Sequence, residues 1–328
     1  MRERIAIVGS GVSGLGCLRF LHAHHDVTVF DHDTRPGGHA HTIDVTEPDT
    51  GRALPMDTGF MVFNEVTYPH LCRLFKELGV KPKQTSMSFA VRHDPTGLEW
   101  CGSSLNHLFA QRRNLFSLRF WKLLLQINKF NKLAKIEWQS TEAETTSLRD
   151  WCARKGFGQD FLNLYLIPMS AAVWSTPADK MLGFPAAALM RFFHNHGFLG
   201  LDTQHQWLTL EGGSRTYVDA VLKAYPADFR FGQGVTSVRR DGDQVVVATA
   251  HGEERFDRVI MASHADTTLK LLTDANGEER RLLGAFTYNQ NVAIVHTDMA
   301  PLPRTAKARS SWNYRTWAKD GGLATSTH

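Results

Sequence analysis

The sequence RIAIVGSGVSGLG, which begins at Arg4, constrains the fold of this chain more than any other stretch. Residues 5–8 form a short apolar run that is typical of a buried parallel strand, and glycines follow at positions 9, 11 and 14. We predict a tight turn there and a helix over residues 15–24, because glycines at this spacing permit a sharp reversal and close packing of the helix against the strand. The N-terminus of such a helix directs free N–H groups at an anion.

An acidic residue completes this local pattern. A second apolar run, residues 27–30, predicts another strand, and Asp31 follows it seventeen residues after Gly14. An acid at the end of this strand can accept hydrogen bonds from a ribose hydroxyl. The glycines alone also fit a loop without a ligand, but strand, glycines, helix, strand and acid within about thirty residues favour a dinucleotide site.

Two further glycine-containing stretches indicate which dinucleotide it is. DTRPGGHAHT begins at Asp33, and PMDTGFMVFN occupies residues 55–64. An NAD-binding unit would continue with another strand and helix, whereas this chain resembles the FAD-dependent amine oxidase superfamily, which includes protoporphyrinogen oxidases and carotenoid desaturases. The resemblance is closest to a bacterial subgroup of predicted NAD/FAD-binding oxidoreductases, through GGHAHT and DTGFMVFNEVTYPHL. It implies an α/β fold, in which a Rossmann-like FAD-binding domain carries an inserted α+β substrate domain.

The resemblance also implies which residues hold FAD. The expected contacts are Gly9, Ser10, Gly11 and Gly14 at the pyrophosphate, Asp31 at the adenosine ribose, Gly38 and His39 on the phosphate side, Asp57, Thr58, Gly59 and Phe60 at the isoalloxazine, Gly212 and Gly213 beside the flavin, and the backbone of Val235 at the adenine. Many amine oxidases carry arginine where this chain has His39. Because a neutral imidazole offers one donor and a guanidinium five, we expect weaker or pH-dependent phosphate binding there, unless His39 and His41 are ordinary loop residues.

The chain is predicted to form two discontinuous domains. The FAD-binding domain is expected over residues 1–80 and 205–275, and the substrate domain over residues 81–204 and 276–328. The elements predicted within them are an amphipathic helix over 68–78, long helical segments from 81 to about 204, a helix after Gly213, and strands over 235–239, 244–250, 255–262, 286–298 and 310–315.

The end of the sequence departs from the superfamily pattern. The superfamily closes with a glycine-rich strand, turn and helix whose N-terminus faces the pyrimidine edge of the flavin, and these 328 residues lack it. The resemblance therefore implies a substrate domain truncated at its C-terminus, so that the sequence is a fragment or FAD binding is weakened or lost.

The stretch LNLYLIPMSAAVWSTPADKM, residues 162–181, is the main source of candidate substrate contacts. Similar sequences in the superfamily form a wall of the cavity over the flavin, which implies roles for Tyr165, Met169 and Trp174, with Trp207 and Trp312 as weaker candidates. Without the resemblance, plain helix packing explains these residues better. No nucleophile–base pattern is present, and a flavin needs few catalytic side chains, so no catalytic residue is predicted.

A basic stretch requires a separate explanation. Residues 100–136 contain no acid and seven lysines or arginines, and residues 116–130 carry apolar positions on two helical faces. One interpretation is a helix sandwiched inside the domain with its lysines in solvent. The other is peripheral contact of residues 112–135 with an anionic membrane. No recognition motif supports nucleic-acid binding.

Composition limits the remaining classes. No apolar run approaches the roughly 20 residues that span a bilayer, and the N-terminus lacks a secretory pattern, so we expect a cytoplasmic protein, peripheral at the membrane under the second interpretation above. Cysteines without CxxC spacing and histidines without HExxH predict no metal site. The expected function is FAD-dependent transfer of a hydride from a hydrophobic amine or lipid-like substrate. The alternatives are an NAD(P)-only dehydrogenase and a truncated, non-catalytic module of the flavoprotein fold that binds a partner or associates with a membrane.

Overall fold

The structure is a computed structural model that describes residues 2–174, 176–200, 203–317 and 324–327. The chain divides into two compact units, Met1–Gln84 with Leu208–Gln290 (unit 1) and Thr85–Trp207 with Asn291–His328 (unit 2). The sequence placed these boundaries at residues 80, 205 and 275. The last of them lies furthest from the observed position, since residues 276–290 belong to unit 1.

The strands of the described residues are short. In chain order they are β1 (Arg4–Val8), β2 (Asp26–Asp31), β3 (Thr42–Thr46), β4 (Ala53–Asp57), β5 (Pro82–Thr85), β6 (Phe89–His93), β7 (Leu98–Cys101), β8 (Trp207–Leu210), β9 (Asp228–Phe231), β10 (Val235–Asp241), β11 (Gln244–Thr249), β12 (Gly252–Phe256), β13 (Arg258–Met261), β14 (Trp312–Thr316) and β15 (Ala324–Thr327).

Helices dominate the middle of the chain. They are α1 (Val12–Leu21), α2 (Pro69–Leu78), α3 (Leu105–Leu108), α4 (Leu118–Glu137), α5 (Thr141–Thr145), α6 (Leu148–Arg154), α7 (Gln159–Phe161), α8 (Ile167–Trp174), α9 (Ala178–Met181), α10 (Ala186–Asn195), α11 (Arg215–Ala224), α12 (Ala265–Leu271) and α13 (Gly277–Leu283). A 3₁₀ turn covers Arg112–Phe116, and a π-helical turn, Leu162–Leu166, leads into α8.

Unit 1 is built on a parallel sheet in the order β13-β1-β2-β9. Ile7 pairs with Val29 on one side and Ile260 on the other. Because side chains alternate along a strand, Ile7 packs into a cluster with helix α1, whereas the adjacent Ala6 packs with Phe30 against the antiparallel sheet β10-β11-β12. This architecture confirms the predicted α/β class.

The boundaries of the first helix differ from the prediction. The helix was expected over 15–24, but α1 begins at Val12, directly after Gly11, and ends at Leu21. Its last carbonyl accepts hydrogen bonds from the backbone N–H groups of His24 and His25, which close the end of the helix. The helix N-terminus therefore lies closer to the glycine turn than the apolar pattern indicated.

The last of the three predicted strands after residue 234 is in fact two strands. Residues 255–262 were expected to form one strand, but β12 pairs antiparallel with β11 and β13 pairs parallel with β1. Asp257 separates them, since its carboxylate accepts a hydrogen bond from the Arg4 amide at 2.8 Å and its own amide donates to the Arg4 carbonyl at 2.8 Å. The predicted return of the chain to the main sheet is confirmed for β13.

Unit 2 combines helices with a sheet that the sequence only partly predicted. Residues 81–204 were expected to be helical, but β6 and β7 fall within them, and β6 pairs in parallel with β14. The strand predicted over 310–315 is confirmed by β14. The strand predicted over 286–298 is wrong, because these described residues form no strand, and Val292 and Ile294 are 87% and 74% exposed.

Buried charges hold the sheet of unit 2 together. Arg92 on β6 is buried and donates to the Asp94 carboxylate at 2.8 Å and to the Ala300 carbonyl at 2.7 Å. Arg315 on β14 donates to the other oxygen of Asp94 at 2.9 Å. Burial raises the pKa of Asp94, but the hydrogen bonds from the two guanidinium groups outweigh it and hold the pKa below the ordinary value.

Helix α4 is not sandwiched inside its unit. Phe120, Leu123 and Phe130 are buried, in a core that includes the ring of Trp151, whereas Leu118 is 87% exposed. The second apolar face of α4 therefore lies at the surface, contrary to the first interpretation of the basic stretch. In the described part of the chain, no helix combines the length and the apolarity needed to cross a bilayer.

Candidate functional site

The glycine turn after β1 leaves no room for side chains at two positions. Gly9 has a φ of +112°, and a Cβ there would lie 2.7 Å from the Ala262 carbonyl oxygen. A Cβ at Gly14 would lie 1.9 Å from the Gly9 carbonyl oxygen. Both positions therefore require glycine, as the sequence pattern predicts, because the neighbouring backbone occupies the space of a side chain.

Gly11 plays a different role in the same turn. It is the N-cap of α1 and provides no side-chain cap, so the N–H groups of the first helical turn are not satisfied by a capping side chain. A Cβ built on Gly11 would meet no atom within 4 Å. The space in front of the positive end of this helix is open, and it could receive the phosphates of a dinucleotide.

A second glycine loop closes this space from the other side. A Cβ on Gly38 would lie 3.2 Å from the Cα of Gly11, so the two loops lie in contact. The Gly37 amide donates to the Ser10 carbonyl at 3.1 Å, which ties the second loop to the first. We call the pair of loops, residues 9–14 and 35–40, the glycine cradle.

Arg35 sets the shape of the second loop. Its guanidinium donates to the carbonyl oxygens of Pro36 and Ala40 at 3.0 Å and of Gly38 at 2.8 Å. Three carbonyls of the loop are thereby turned toward one side chain. The role of Arg35 could not be predicted from the sequence, because its contacts depend on a loop conformation that no short pattern encodes.

Asp31 fixes the glycine turn. One oxygen of its carboxylate accepts the Ser10 amide at 2.8 Å and the Ser10 hydroxyl at 2.5 Å, and the other accepts the Asp33 amide at 3.0 Å. The Asp31 side chain is 10% exposed. Contact of Asp31 with a ribose stays a prediction. A ribose hydroxyl would donate to the carboxylate lone pairs that these three hydrogen bonds do not use.

The Asp57 carboxylate accepts several hydrogen bonds from within the protein, and its contact with a flavin stays a prediction. Its carboxylate accepts hydrogen bonds from the Thr42 hydroxyl at 2.5 Å, from the Ser214 hydroxyl at 2.6 Å and from the Ser214 amide at 2.9 Å. Ser214 is the N-cap of α11 and follows Gly212 and Gly213. Asp57 therefore anchors the second predicted Gly-Gly pair beside the β3–β4 hairpin.

Thr58, Gly59 and Phe60 extend this anchor to the glycine cradle. The Thr58 hydroxyl lies 2.9 Å from Nδ1 of His41, and the Phe60 amide donates to the His39 carbonyl at 2.8 Å. A Cβ on Gly59 would lie 2.2 Å from that same carbonyl oxygen. The predicted phosphate-side and isoalloxazine-side residues are thus brought together by backbone contacts.

The ring of Phe60 rests on a buried aromatic group. It lies 6.2 Å from the ring of Phe63 and 6.5 Å, edge to face, from the ring of Tyr217. Burial, with the Asp57 charge nearby, raises the pKa of Tyr217 to about 12. The Tyr217 hydroxyl is therefore neutral in this environment at physiological pH.

Sequence reasoning missed a stack of three rings at the edge of the cradle. The His39 ring stacks on His264 with centroids 5.5 Å apart, and His264 stacks on Tyr288 at 4.3 Å. The Tyr288 hydroxyl accepts a hydrogen bond from the Ala265 amide at 2.9 Å. His264 follows the carboxyl end of β13, where parallel sheets bind ligands, and that position is the signal that could have identified it.

The predicted adenine-side residue lies near the Asp31 end of the cradle. Gly234, which precedes Val235, approaches His32 so that a Cβ on it would lie 3.1 Å from the Cβ of His32. The Val235 side chain packs into the cluster of Phe30 and Phe256. This position leaves the Val235 backbone at the edge of the loop after β2, and its contact with a ligand stays a prediction.

The predicted substrate-pocket residues belong to unit 2. Trp174 and Trp312 pack against one cluster that includes Tyr314, and the Trp174 ring reaches the Trp207 ring through Phe192 and His196.

The other two predicted pocket residues, Tyr165 and Met169, lie elsewhere in unit 2. Tyr165 is buried among Phe130 and Phe161, and burial raises its pKa, while Met169 on α8 is half-buried. A cavity of about 340 Å³ in unit 2 is lined by none of the five predicted residues. Their pocket role stays a prediction.

Solved structures with this fold include three enzymes. A CLA-producing fatty acid isomerase from P. acnes shares 18% identity (TM-score 0.62), with 86% of this chain and 63% of that chain covered. Putrescine oxidase with putrescine bound shares 18% identity, with a TM-score of 0.63 and with 87% of this chain and 63% of that chain covered. Cyclohexylamine oxidase from Brevibacterium oxydans IH-35A shares 16% identity, with a TM-score of 0.65 and the same two coverages. The chain thus spans 63% of the length of these proteins.

Sequence comparison identifies the family. No curated protein matches the chain significantly. The family model for flavin-containing amine oxidoreductases matches residues 13–306, from the first turn of α1 to the segment before β14. That match includes most of both units. With its glycine cradle and parallel sheet, the chain belongs to the flavin-containing amine oxidoreductase family.

Proposed function

We propose that this chain binds FAD and acts in an FAD-dependent oxidoreductase, which transfers a hydride from a hydrophobic amine or lipid-like substrate to the flavin. The observation that carries the proposal is the glycine cradle, in which Gly11 faces open space at an uncapped helix N-terminus and the Gly38 loop lies against it. A side chain on Gly11 would occupy that space. The residues therefore fit a linked pair of phosphates, which FAD has and a mononucleotide flavin lacks.

The chain contributes binding and positioning. The N–H groups of α1 would hold the pyrophosphate, and the Asp57 carboxylate fixes the loop of Gly212 and Gly213 through Ser214. Bound FAD supplies the ring that accepts the hydride. The backbone around Gly59 packs so closely on the His39 loop that a side chain at position 59 would not fit there.

The aromatic side chains of unit 2 support the proposal that the substrate is apolar. Trp174 and Trp312 pack on one cluster in unit 2, together with Phe89 and Phe184. One similar structure is named for a fatty acid and two are named for amines, putrescine and cyclohexylamine, and of these three compounds the fatty acid and the cyclic amine are largely apolar. Such substrates offer apolar surface for burial and few polar groups for recognition.

The proposal is tested by replacing Gly11 with valine. The φ of Gly11 is −66°, which valine adopts readily, and its Cβ meets no protein atom, so Gly11→Val is expected to fold normally. FAD binding to the full chain is measured by the quenching of flavin fluorescence. We expect wild-type protein to bind and Gly11→Val to lose at least tenfold in affinity.

The matched control lies in the same helix. A Cβ on Gly16 also meets no atom within 4 Å, but Gly16 lies outside the cradle, five residues after Gly11 along α1, so Gly16→Val is expected to bind FAD as the wild type does. Equal affinity of wild type and Gly11→Val, or binding of NADH in place of FAD by the wild type, overturns the proposal. The second outcome identifies an NAD(P)-only protein.

A further inference from the structure

Unit 2 has a surface that combines exposed apolar side chains with unpaired cations. We call it the α4 surface. Its apolar members are Leu115, Phe116, Leu118, Trp121, Leu125 and Ile136, and its basic members are Arg112, Arg113, Lys122, Lys132 and Lys135. The surface runs from the 3₁₀ turn before α4 to the last turn of that helix.

The apolar side chains of this surface are more exposed than folding alone explains. Phe116 is 90% exposed, Leu118 87%, Ile136 78% and Leu125 67%. Single exposed apolar residues are common on proteins, but several of them on one short turn and one helical face form a patch, and such patches mark binding surfaces.

Local hydrogen bonds hold the tip of this surface in place. The Trp121 indole donates to the Leu115 carbonyl at 2.9 Å, and the Ser117 hydroxyl accepts the Phe120 amide at 3.2 Å as the N-cap of α4. Arg112 donates to the Phe109 carbonyl at 3.1 Å. The protruding Phe116 and its neighbours are therefore carried by an ordered turn.

Within the described part of the chain, the basic side chains of the surface form no ion pairs, although the charge of Lys122 helps to lower the pKa of Asp160. Arg119 forms an ion pair with Asp160, whereas among the described residues none of the five basic members has a carboxylate within ion-pair distance. Residues 100–136 contain no acid. The α4 surface therefore presents cations next to apolar side chains and attracts an extended anionic partner.

The spacing of these residues suits a helix that lies flat on a bilayer. Leu118, Trp121 and Leu125 follow one another at three and four residues on α4, and Lys122 and Lys132 border them. Lysine stems can lie along apolar surface while their ammonium groups reach the lipid phosphates. We propose that the α4 surface docks this protein on membranes rich in anionic phospholipid.

Two other occupants fit the surface less well. A second copy of the chain would bring like charges together, and duplex DNA would neutralise the cations but leave Phe116 and Leu118 without apolar cover. An anionic bilayer satisfies both components, since acyl chains receive the apolar side chains and headgroups receive Lys122 and Arg113.

Vesicle flotation tests the proposal and requires neither flavin nor turnover, so its result is independent of the proposed function. The full chain is mixed with vesicles of phosphatidylcholine alone or with 30% phosphatidylglycerol, at about 50 mM and 500 mM salt. We expect flotation with the anionic vesicles at low salt, at least tenfold less with neutral vesicles, and partial loss at high salt because the apolar contacts persist.

Paired variants separate the two components of binding. The double variant Phe116→Ser with Leu118→Ser removes apolar contact with the bilayer. The double variant Lys122→Glu with Lys132→Glu reverses two charges. Each double variant is expected to lower the affinity for anionic vesicles at least tenfold. The matched controls are Phe20→Ser with Leu282→Ser, also exposed on helices, and Lys76→Glu with Lys223→Glu, which changes net charge equally. The controls are expected to float like the wild type.

Trp121 reports insertion directly, because it is 44% exposed on the α4 surface. Lipids brominated on the acyl chain should quench the wild-type tryptophan emission, and Trp121→Phe should remove most of the quenching. Absence of flotation with anionic vesicles, or equal losses in the control variants, overturns the proposal. A self-association or DNA binding that depends on Phe116 and Lys122 while vesicles do not bind also overturns it.

Discussion

The carboxylate of Asp57 accepts both the amide and the hydroxyl of Ser214, at 2.9 Å and 2.6 Å, across 157 residues of sequence. The two residues come from the separate stretches that make up unit 1. A carboxylate at the N-cap of α11 is also favourable to that helix, whose N-terminus is positive. This contact joins the DTG segment to the second Gly-Gly pair.

Replacing Asp57 by alanine is expected to destabilise the protein by about 2–3 kcal/mol, because Ser214 and Thr42 lose a charged acceptor. FAD affinity should fall with it, since the loop of Gly212 and Gly213 loses its anchor. Urea denaturation and FAD titration measure the two effects. Asp44→Ala, which removes an exposed ion pair with Arg215, is the control, and a similar loss there would contradict the role of Asp57.

Gly59→Ala is expected to cost about 1–3 kcal/mol, because its Cβ would lie 2.2 Å from the His39 carbonyl oxygen and the backbone must move. Gly277→Ala is the control, since a Cβ there meets no atom within 4 Å. Thermal unfolding of both variants gives the comparison. Equal stability of Gly59→Ala and wild type would contradict the close contact between these segments.

His39→Arg is expected to tighten FAD binding about tenfold, because a guanidinium adds charged donors on the phosphate side of the cradle. The control is His24→Arg, which adds the same charge at an exposed position beyond the end of α1. Isothermal titration with FAD measures the dissociation constants. An unchanged constant for His39→Arg would place the His39 side chain away from the phosphates.

Asp94→Asn is expected to destabilise the protein by about 3 kcal/mol near neutral pH, since Arg92 would remain buried with only the more distant Glu99 carboxylate, at 3.9 Å, as an anionic partner, and Arg315 would lose its ion pair. The folded-state pKa of Asp94 is lowered, so its stabilising effect is complete above the ordinary aspartate pKa and is lost as pH falls through the folded value. The difference between wild type and variant should therefore shrink toward low pH. Urea denaturation across this range provides the test, and a constant difference would contradict it.

The glycine turn could be predicted from sequence because its determinants are local. Gly9, Gly11 and Gly14 lie within one turn and one helix start, and their spacing alone predicts the backbone path. The partners of Asp57 and His39 could not be predicted in this way. Ser214 and His264 lie more than 150 residues away, so only the folded sheet brings them together.

The exposure of the α4 surface and the sheet of unit 2 could not be predicted from the sequence, for related reasons. Apolar residues on both faces of α4 predict two contacts, but periodicity does not tell whether the second partner is the same chain. Strand β6 is a five-residue stretch that contains a buried arginine, and its parallel partner β14 lies more than 200 residues later. A short strand of mixed polarity has little local signal.

The central place of β1 has a consequence for biosynthesis. Ile5 pairs with Val27 on one side but with Arg258 on the other, so one edge of the first strand stays open until about 250 further residues have been translated. At about 5–20 residues per second, that edge waits tens of seconds on the ribosome. Chaperone capture of nascent chains should therefore peak before residue 258 emerges.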